Sequence, residues 1–496
     1  MFKFGRMLTV LAGAALLSAC SSLTDLDVEN TNAPDADRAL GSPEDVEALI
    51  GSSFYNWHLN QKDAYPSWAL SVASGEVTSS WGNYGMQDWG TIPRMTYQNN
   101  SAYGYNGVNR LPWYRLYTVI SAVNDGLIAI DGGMEFGDDG EDTQRARAFA
   151  KFNQGLAYGY LALLYDQAFV IDERTDLASI EFEFVDYPEV MDIAIGMLDE
   201  AAQIASDNSF TIPLNWVQTG SELTSDELAA LAKGYSARFI AQVARTPAER
   251  EAVDWNDVLT RANQGPTTDF VLEYDGDTWW EYAKNYAANQ TWQRASYYTI
   301  GETDQSGAYQ AWLNTPAAER QPFDIVTADR RITGAGGPTT DGTDFSYEGP
   351  SAFRADRGTY FFSNYMHNVY SYLWPSFAGA APMMKVTEMD LLKAEAHLRL
   401  NQRDAAVPLI NATRVTRGQL PPALATESVD ALMAKMQYEK RIELFVVSFG
   451  NHYLDARGWG RLLTGTPIHM PVPARELETL SMPLYTFGGG AGGAAP

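Results

Sequence analysis

Thr224 is followed three residues later by Glu227 and then by Leu228, Leu231, Tyr235, Phe239 and Val243, at steps of three and four. A hydroxyl and a carboxylate at that spacing satisfy each other's orphan N–H groups, and the apolar steps place five side chains on one helical face. The same grammar recurs along the chain. Thr246-Pro247 with Glu249 has the capping spacing, and Ser42-Pro43-Glu44-Asp45 offers a hydroxyl cap, a proline at the first helical position and acids at the positive dipole end. Phe149, Phe152, Leu156, Tyr160 and Leu163 form another stripe. Residues 387–400 and 404–417 read as an antiparallel hairpin, closed by a cationic last turn and a C-cap glycine at Arg417-Gly418. About ten such helices are expected between residues 42 and 449, with no sustained strand alternation. The expected fold is mainly α, its helices paired in a tetratricopeptide-like way but lacking the roughly 34-residue period of an ordinary solenoid.

Two long stretches, 74–109 and 265–385, break the helical pattern. Loops of that length in a compact domain are functional or disordered, and disordered segments are poor in aromatics. This chain carries 13 Trp, 27 Tyr and 21 Phe, many of them in these stretches, so ordered loops are expected. A sugar ring shows an apolar face and a rim of hydroxyls, so its site needs aromatic platforms interleaved with amides and hydroxyls. The candidates are Trp81, Asn83, Tyr84 and Trp89 in the first stretch, with Gln87 and Asp88 beside them, and Trp279, Trp280, Tyr286 and Trp292 in the second. Half-covering one ring yields ~2.5 kcal/mol, whereas micromolar binding takes ~8 kcal/mol, so two or three rings must converge. The alternative is that these tryptophans belong to the core or anchor the loops.

Charge and residue counts exclude other chemistries. With 62 acidic and 35 basic residues and a formal charge of −27, the chain lacks the basic footprint that nucleic acid requires. One cysteine cannot form an internal disulfide, a CxxC pair or a thiolate zinc cage. His58, His367, His397, His452 and His469 are scattered without an HExxH spacing, so no metal site is expected. Asp138-Asp139-Gly140-Glu141-Asp142 lacks the alternation of an EF-hand and reads as a solvated turn. Gly488, Gly490 and Gly493 fit GxGxxG, but no strand precedes them and no helix follows. Gly155 and Gly159 read as a close contact between soluble helices. No cofactor is expected.

The amino terminus reads as an address. Lys3 and Arg6 precede an apolar run from Met7 to Leu17, shorter than the ~20 residues a membrane-spanning helix needs and typical of a secretory signal. The run ends in Leu17-Ser18-Ala19-Cys20, which resembles the bacterial lipobox, whose cysteine is lipidated. Several acyl chains on Cys20 would give durable anchoring to a membrane surface. The expected organisation is a signal peptide at 1–19, a lipidated acidic tether at 20–40, one binding domain at 41–487 and a disordered, frayed glycine-rich tail at 488–496.

Several motifs along the mature chain share a pattern. They are Arg145-Ala-Arg147-Ala-Phe149 running to Tyr160-Leu161-Ala162-Leu163-Leu164-Tyr165, and Asp390-Leu391-Leu392-Lys393-Ala394-Glu395-Ala396 with Ala406, Leu409, Asn411, Arg414 and Gly418. Glu439-Lys440-Arg441-Ile442-Glu443-Leu444 then leads to Tyr453-Leu454-Asp455, Arg457-Gly458-Trp459-Gly460 and Pro471-Val472-Pro473 with Glu476. In these the chain resembles the SusD/RagB family of surface lipoproteins. It departs from the family at Phe449-Gly450 with His452 and at Asp166-Gln167-Ala168-Phe169. The resemblance implies a mostly helical fold, an outer-membrane lipid anchor facing the cell exterior, and a SusC-like TonB-dependent transporter as partner. In that setting the protein would be a non-catalytic binder delivering oligosaccharide or another nutrient. The family's ligand residues follow no transferable motif, so none is carried over. Two other readings stand beside this one. One is a helical glycoside hydrolase using paired carboxylates ~5 to 9.5 Å apart, and the other is a lipoprotein with no ligand.

Overall fold

The computed structural model describes residues 41–179, 182–289, 291–350 and 363–489. The signal segment, Cys20, the whole of the tether and tail residues 490–496 therefore lie outside the described residues. Among the described residues, ten helices reach eight residues or more: α1 (Pro43–Lys62), α2 (Gly107–Asp131), α3 (Thr143–Leu164), α4 (Tyr187–Asp207), α5 (Ser225–Gln242), α6 (Trp255–Asn263), α7 (Val386–Arg399), α8 (Arg403–Arg414), α9 (Val429–Glu443) and α10 (Asn451–Gly458). Each of α1 to α6 packs on its successor in the chain or one close to it. α1 lies on α2, α2 on α3, α3 on α4, α4 on α5, α5 on α6, α6 on α7, and α7 on both α8 and α9. Paired helices stacked in series are the architecture that the amphipathic stripes imply. No described helix is long and apolar enough to cross a membrane.

The caps form as their spacing dictates. Thr224 and Glu227 make the reciprocal box, each side chain bonding the other residue's backbone N–H. Ser42 accepts from Asp45 N at 3.2 Å. At Thr246 the cap is one-sided: its hydroxyl accepts from Glu249 N, but the Glu249 carboxylate turns to Arg245 N instead. Gly155 and Gly159 are there for contact. A Cβ at Gly155 would lie 2.7 Å from Leu198 on α4, and one at Gly159 only 2.0 Å from Phe239 on α5.

Gly418 corrects an expectation. α8 ends at Arg414, and the left-handed residue after it is Gln419 (φ 52°), not Gly418. Gly418 is small for another reason: a Cβ there would sit 2.8 Å from the Arg331 guanidinium and 2.9 Å from the Arg414 carbonyl oxygen. Nor are Gly488 and Gly489 frayed. Gly488 bridges to Thr96, and Gly489 N donates to Gly465 O at 2.9 Å.

Buried ion pairs, several of them made by motif residues, tie these elements together. Arg238 meets Glu388, and Arg250 meets Glu395 and Asp455, all with side chains at most 4% exposed. Lys440 pairs with Asp455, and Arg441 with Glu302. The Arg457 guanidinium donates to the carbonyls of Leu163, Ile468 and Gln242. Such groups hold helices in register because unpairing any of them strands a charge in the core. The two departures are packing features. Phe449 stacks on Tyr160 at 4.3 Å, and Phe169 stacks on Phe184 at 4.2 Å.

The stretch 265–385 is not only loop. Phe270–Asp275 and Ala378–Met384 form an antiparallel ladder, and Val77–Ser79 pairs with Gln293–Ala295. Both ladders join segments about a hundred or more residues apart. Ala378–Met384 reads AGAAPMM, a composition without strand signal, so its pairing is set by tertiary context.

Candidate functional site

Three loop segments are brought to one face by these two ladders. Ser79 pairs with Gln293, and Ser80 N then donates to Trp292 O at 3.1 Å, which sets Trp81 beside Trp292 with ring centroids 5.7 Å apart. The short helix Tyr282–Ala287 carries Tyr282 and Tyr286 on successive turns, their rings 5.3 Å apart. Ala378 pairs with Asp275, which delivers Trp374 and Phe377 to the same place. The result is a continuous aromatic surface. Tyr286 stacks on Trp292 at 4.4 Å with planes 16° apart, touches Trp374 at 5.4 Å and Phe377 at 5.9 Å, and Phe377 meets Trp280 at 5.4 Å.

The surface has a rigid floor. Trp68, fully buried, meets Tyr84, Tyr282, Tyr286 and Trp292 at 5.2 to 6.0 Å. Trp374 and Trp81 lie outermost, 40% and 36% exposed. At one margin Lys62 Nζ lies 4.9 Å from the Trp280 ring and donates to the Thr278 carbonyl and the Tyr55 hydroxyl. A cation over an indole face is attracted by the ring quadrupole, so it fixes Trp280 in place. The hydroxyls of Tyr84, Tyr282 and Tyr286 hold no hydrogen bond to the described residues. Burial raises the Tyr282 phenol above its ordinary value, with Tyr84, Tyr286 and Asp63 adding to the shift. Exposed rings backed by a buried aromatic layer and edged by free hydroxyls can grip an apolar ring face and bond its rim.

The sequence candidates divide. Trp81, Tyr84, Trp280, Tyr286 and Trp292 come together on this face. Trp89 and Trp279 do not; each is 5% exposed and belongs to the core. Trp89 packs on Tyr97 and Tyr453, and Trp279 on Phe54, Tyr55 and His58. Burial removes both from any guest. Asn83 has its Oδ1 buried without a partner, and Asp88 is taken by the Tyr103 hydroxyl. Trp374, Phe377 and Trp68 were missed by sequence reasoning. A signal existed for the first two, since Ser371-Tyr372-Leu373-Trp374-Pro375-Ser376-Phe377 has the same aromatic density as the chosen clusters.

His58 links the core to this face. Its Nε2 lies 3.3 Å from the Trp280 carbonyl oxygen, and its ring stacks on Trp279 and Tyr274. Burial pushes its pKa down to about 3, with the Lys284 and Lys62 charges adding to the shift. His367 is likewise pushed down to about 3 by burial, and His469 to about 2. Between pH 6.5 and 3 the unfolded chain protonates these imidazoles while the folded chain does not, so acid favours unfolding through them. His58→Gln is therefore expected to flatten the loss of stability between pH 6.5 and 5 by about 1 kcal/mol per pH unit. Urea unfolding at stepped pH reads this directly, and parallel slopes for the two proteins would refute it. Among the described residues, no three His, Cys, Asp or Glu side chains are grouped closely enough to hold a metal ion.

No protein-family model matches the sequence, and no curated protein matches it. Solved structures do. A SusD superfamily protein from Parabacteroides distasonis aligns with a TM-score of 0.56 at 16% identity, over 88% of this chain and 97% of that one. Another from Bacteroides vulgatus gives 0.55 at 16%, over 89% and 97%. A protein from Bacteroides fragilis described as SusD-like and carbohydrate binding gives 0.56 at 14%, over 85% and 87%. Serial helix pairs and these alignments along nearly the whole described chain agree: the chain shares its overall fold with these solved SusD superfamily structures.

Proposed function

We propose that this chain is a non-catalytic binder of glycans, using the face built from Trp81, Tyr84, Trp280, Tyr286, Trp292, Trp374 and Phe377. The observation that carries the reading is that these rings form one rigidly floored surface, exposed at Trp81 and Trp374 and half-buried between them, with phenol hydroxyls that hold no hydrogen bond to the described residues. Three rings each half-covered would contribute ~7.5 kcal/mol before ordering costs, close to the ~8 kcal/mol of micromolar binding. The SusD-like protein of similar fold described as carbohydrate binding supports the same reading. With Cys20 lipidated, the domain would be held at the outer membrane facing the cell exterior, and a SusC-like TonB-dependent transporter would receive the ligand.

Hydrolysis is the less favoured reading. It needs a carboxyl of raised pKa beside the platform. Among the described residues, Glu76 is pushed up to about 7 and Asp166 to about 6, chiefly by burial, but neither lines the aromatic face. Asp63, which does lie near it, is paired with Arg115. Incubation with oligosaccharides that bind by calorimetry should yield no product; released sugar would replace this reading with an enzyme. Purification from membranes should recover a large barrel partner with the wild-type chain and not with Cys20→Ala; recovery of none from either would remove the transporter from the account.

A further inference from the structure

One cavity runs against the charge of the rest of the molecule. In a chain of formal charge −27, a hollow of about 230 Å³ opens between the first turn of α2 and the start of the short helix Ala474–Thr479, and the charged side chains lining it are Arg110 and Arg475. Among the described residues neither guanidinium is ion-paired with a carboxylate. Arg110 Nε donates to the Asn106 carboxamide oxygen at 3.2 Å, and the cation lies 5.9 Å from the Tyr114 ring. The acids of the short helix are engaged elsewhere: Glu476 accepts from the Tyr114 hydroxyl at 2.6 Å and Glu478 from the Ser101 hydroxyl at 2.7 Å.

A second observation points to a guest. Asn109 lines the same hollow, is only 1% exposed, and donates through Nδ2 to Asn99 Oδ1 at 3.3 Å. Its own carboxamide oxygen is buried and has no partner. Leaving a buried acceptor unpaired is costly, a cost that a hydroxyl donor in the hollow relieves. Two unpaired guanidiniums, in turn, match a carboxylate, which their planar forks hold through two oxygens at once. The pairing of a cationic edge with a lone buried acceptor selects an acid that also carries hydroxyls.

We propose that this hollow is a second ligand site that takes one hexuronate-type residue, its carboxylate on Arg110 and Arg475 and a hydroxyl donating to Asn109 Oδ1. The hollow shares no lining residue with the aromatic face, so it stands or falls separately from it.

The test is a calorimetric titration of the intact mature domain with glucuronate, glucose and sulfate. Glucuronate should bind at least tenfold more tightly than glucose or sulfate. Arg475→Gln and Arg110→Gln should each weaken glucuronate at least tenfold; Arg475 is exposed, so its replacement leaves the fold intact, which circular dichroism checks. Trp374→Ala should leave glucuronate binding unchanged even where it abolishes binding on the aromatic face. Equal affinity for glucose, sulfate binding as tight as glucuronate, indifference to Arg475→Gln, or loss of glucuronate binding in Trp374→Ala would each overturn the assignment.

Discussion

Arg331→Met should destabilise the protein by about 3–5 kcal/mol, the largest effect of any single substitution considered. Its guanidinium is fully buried and holds three carboxylates at once: Asp329 at 2.7 and 3.0 Å, Glu439 at 2.6 and 3.2 Å, and Glu443 at 2.9 Å. Arg414 and Arg417 reach Glu439 and Glu443 from the side, at 3.4 and 3.1 Å, and Thr413 donates to Glu439. Removing the central cation leaves three buried acids facing one another, with these partial partners, the Tyr438 hydroxyl on Asp329 at 2.7 Å and Lys385 3.8 Å from Glu443 as their remaining support. Arg331→Lys should recover little, because one ammonium cannot reproduce a planar fork that meets three carboxylates. Gly418→Ala should reveal the same cluster from outside, since its methyl would press on the guanidinium. Chemical denaturation measures all three, and an Arg331→Met protein within 1 kcal/mol of wild type, on a scale where ~1 kcal/mol is an ordinary substitution, would show that the cluster is not what holds α9 against the 329–344 loop.

Trp374→Ala should weaken glycan binding roughly 10- to 60-fold, because it removes about 1.5–2.5 kcal/mol of ring coverage from the outermost platform. Trp374 is 40% exposed and touches Tyr286 alone among the described rings, so its loss leaves the stacked Tyr286–Trp292 pair in place. Trp279→Phe offers the contrast. That ring is buried against Phe54 and His58, so its replacement should lower stability and leave the affinity of the folded fraction near wild type. Calorimetric titration of both variants with a bound oligosaccharide separates the two roles. An unchanged affinity in Trp374→Ala would remove that ring from the site.

The helices were legible because their signals are local. Caps such as Thr224–Glu227 and stripes such as Leu228 to Val243 need only neighbours in sequence, and their physics repeats from one helix to the next. Gly418 misled because a glycine after a basic last turn has two uses, and only the three-dimensional approach of Arg331 tells a close contact from a cap. The platform was half legible. Aromatic density in the loops marked Trp81, Trp280, Tyr286 and Trp292, but density cannot say which ring faces water. Adjacent tryptophans Trp279 and Trp280 go opposite ways, one stacked on His58 in the core and the other on the face under Lys62. That choice is made by the Asp275–Trp279 turn and by the pairing of Ala378 with Asp275, across about a hundred residues of chain. Non-local pairing of this kind leaves no periodic trace in either strand.

A glycan array probed with the wild-type domain and with the Trp81→Ala/Trp374→Ala double variant tests the central claim most directly. The wild type should light up at least one class of oligosaccharide, and the folded double variant should lose that signal. Identical profiles from the two proteins would place carbohydrate recognition elsewhere on the molecule, and a folded wild type that binds no glycan at all would contradict the account.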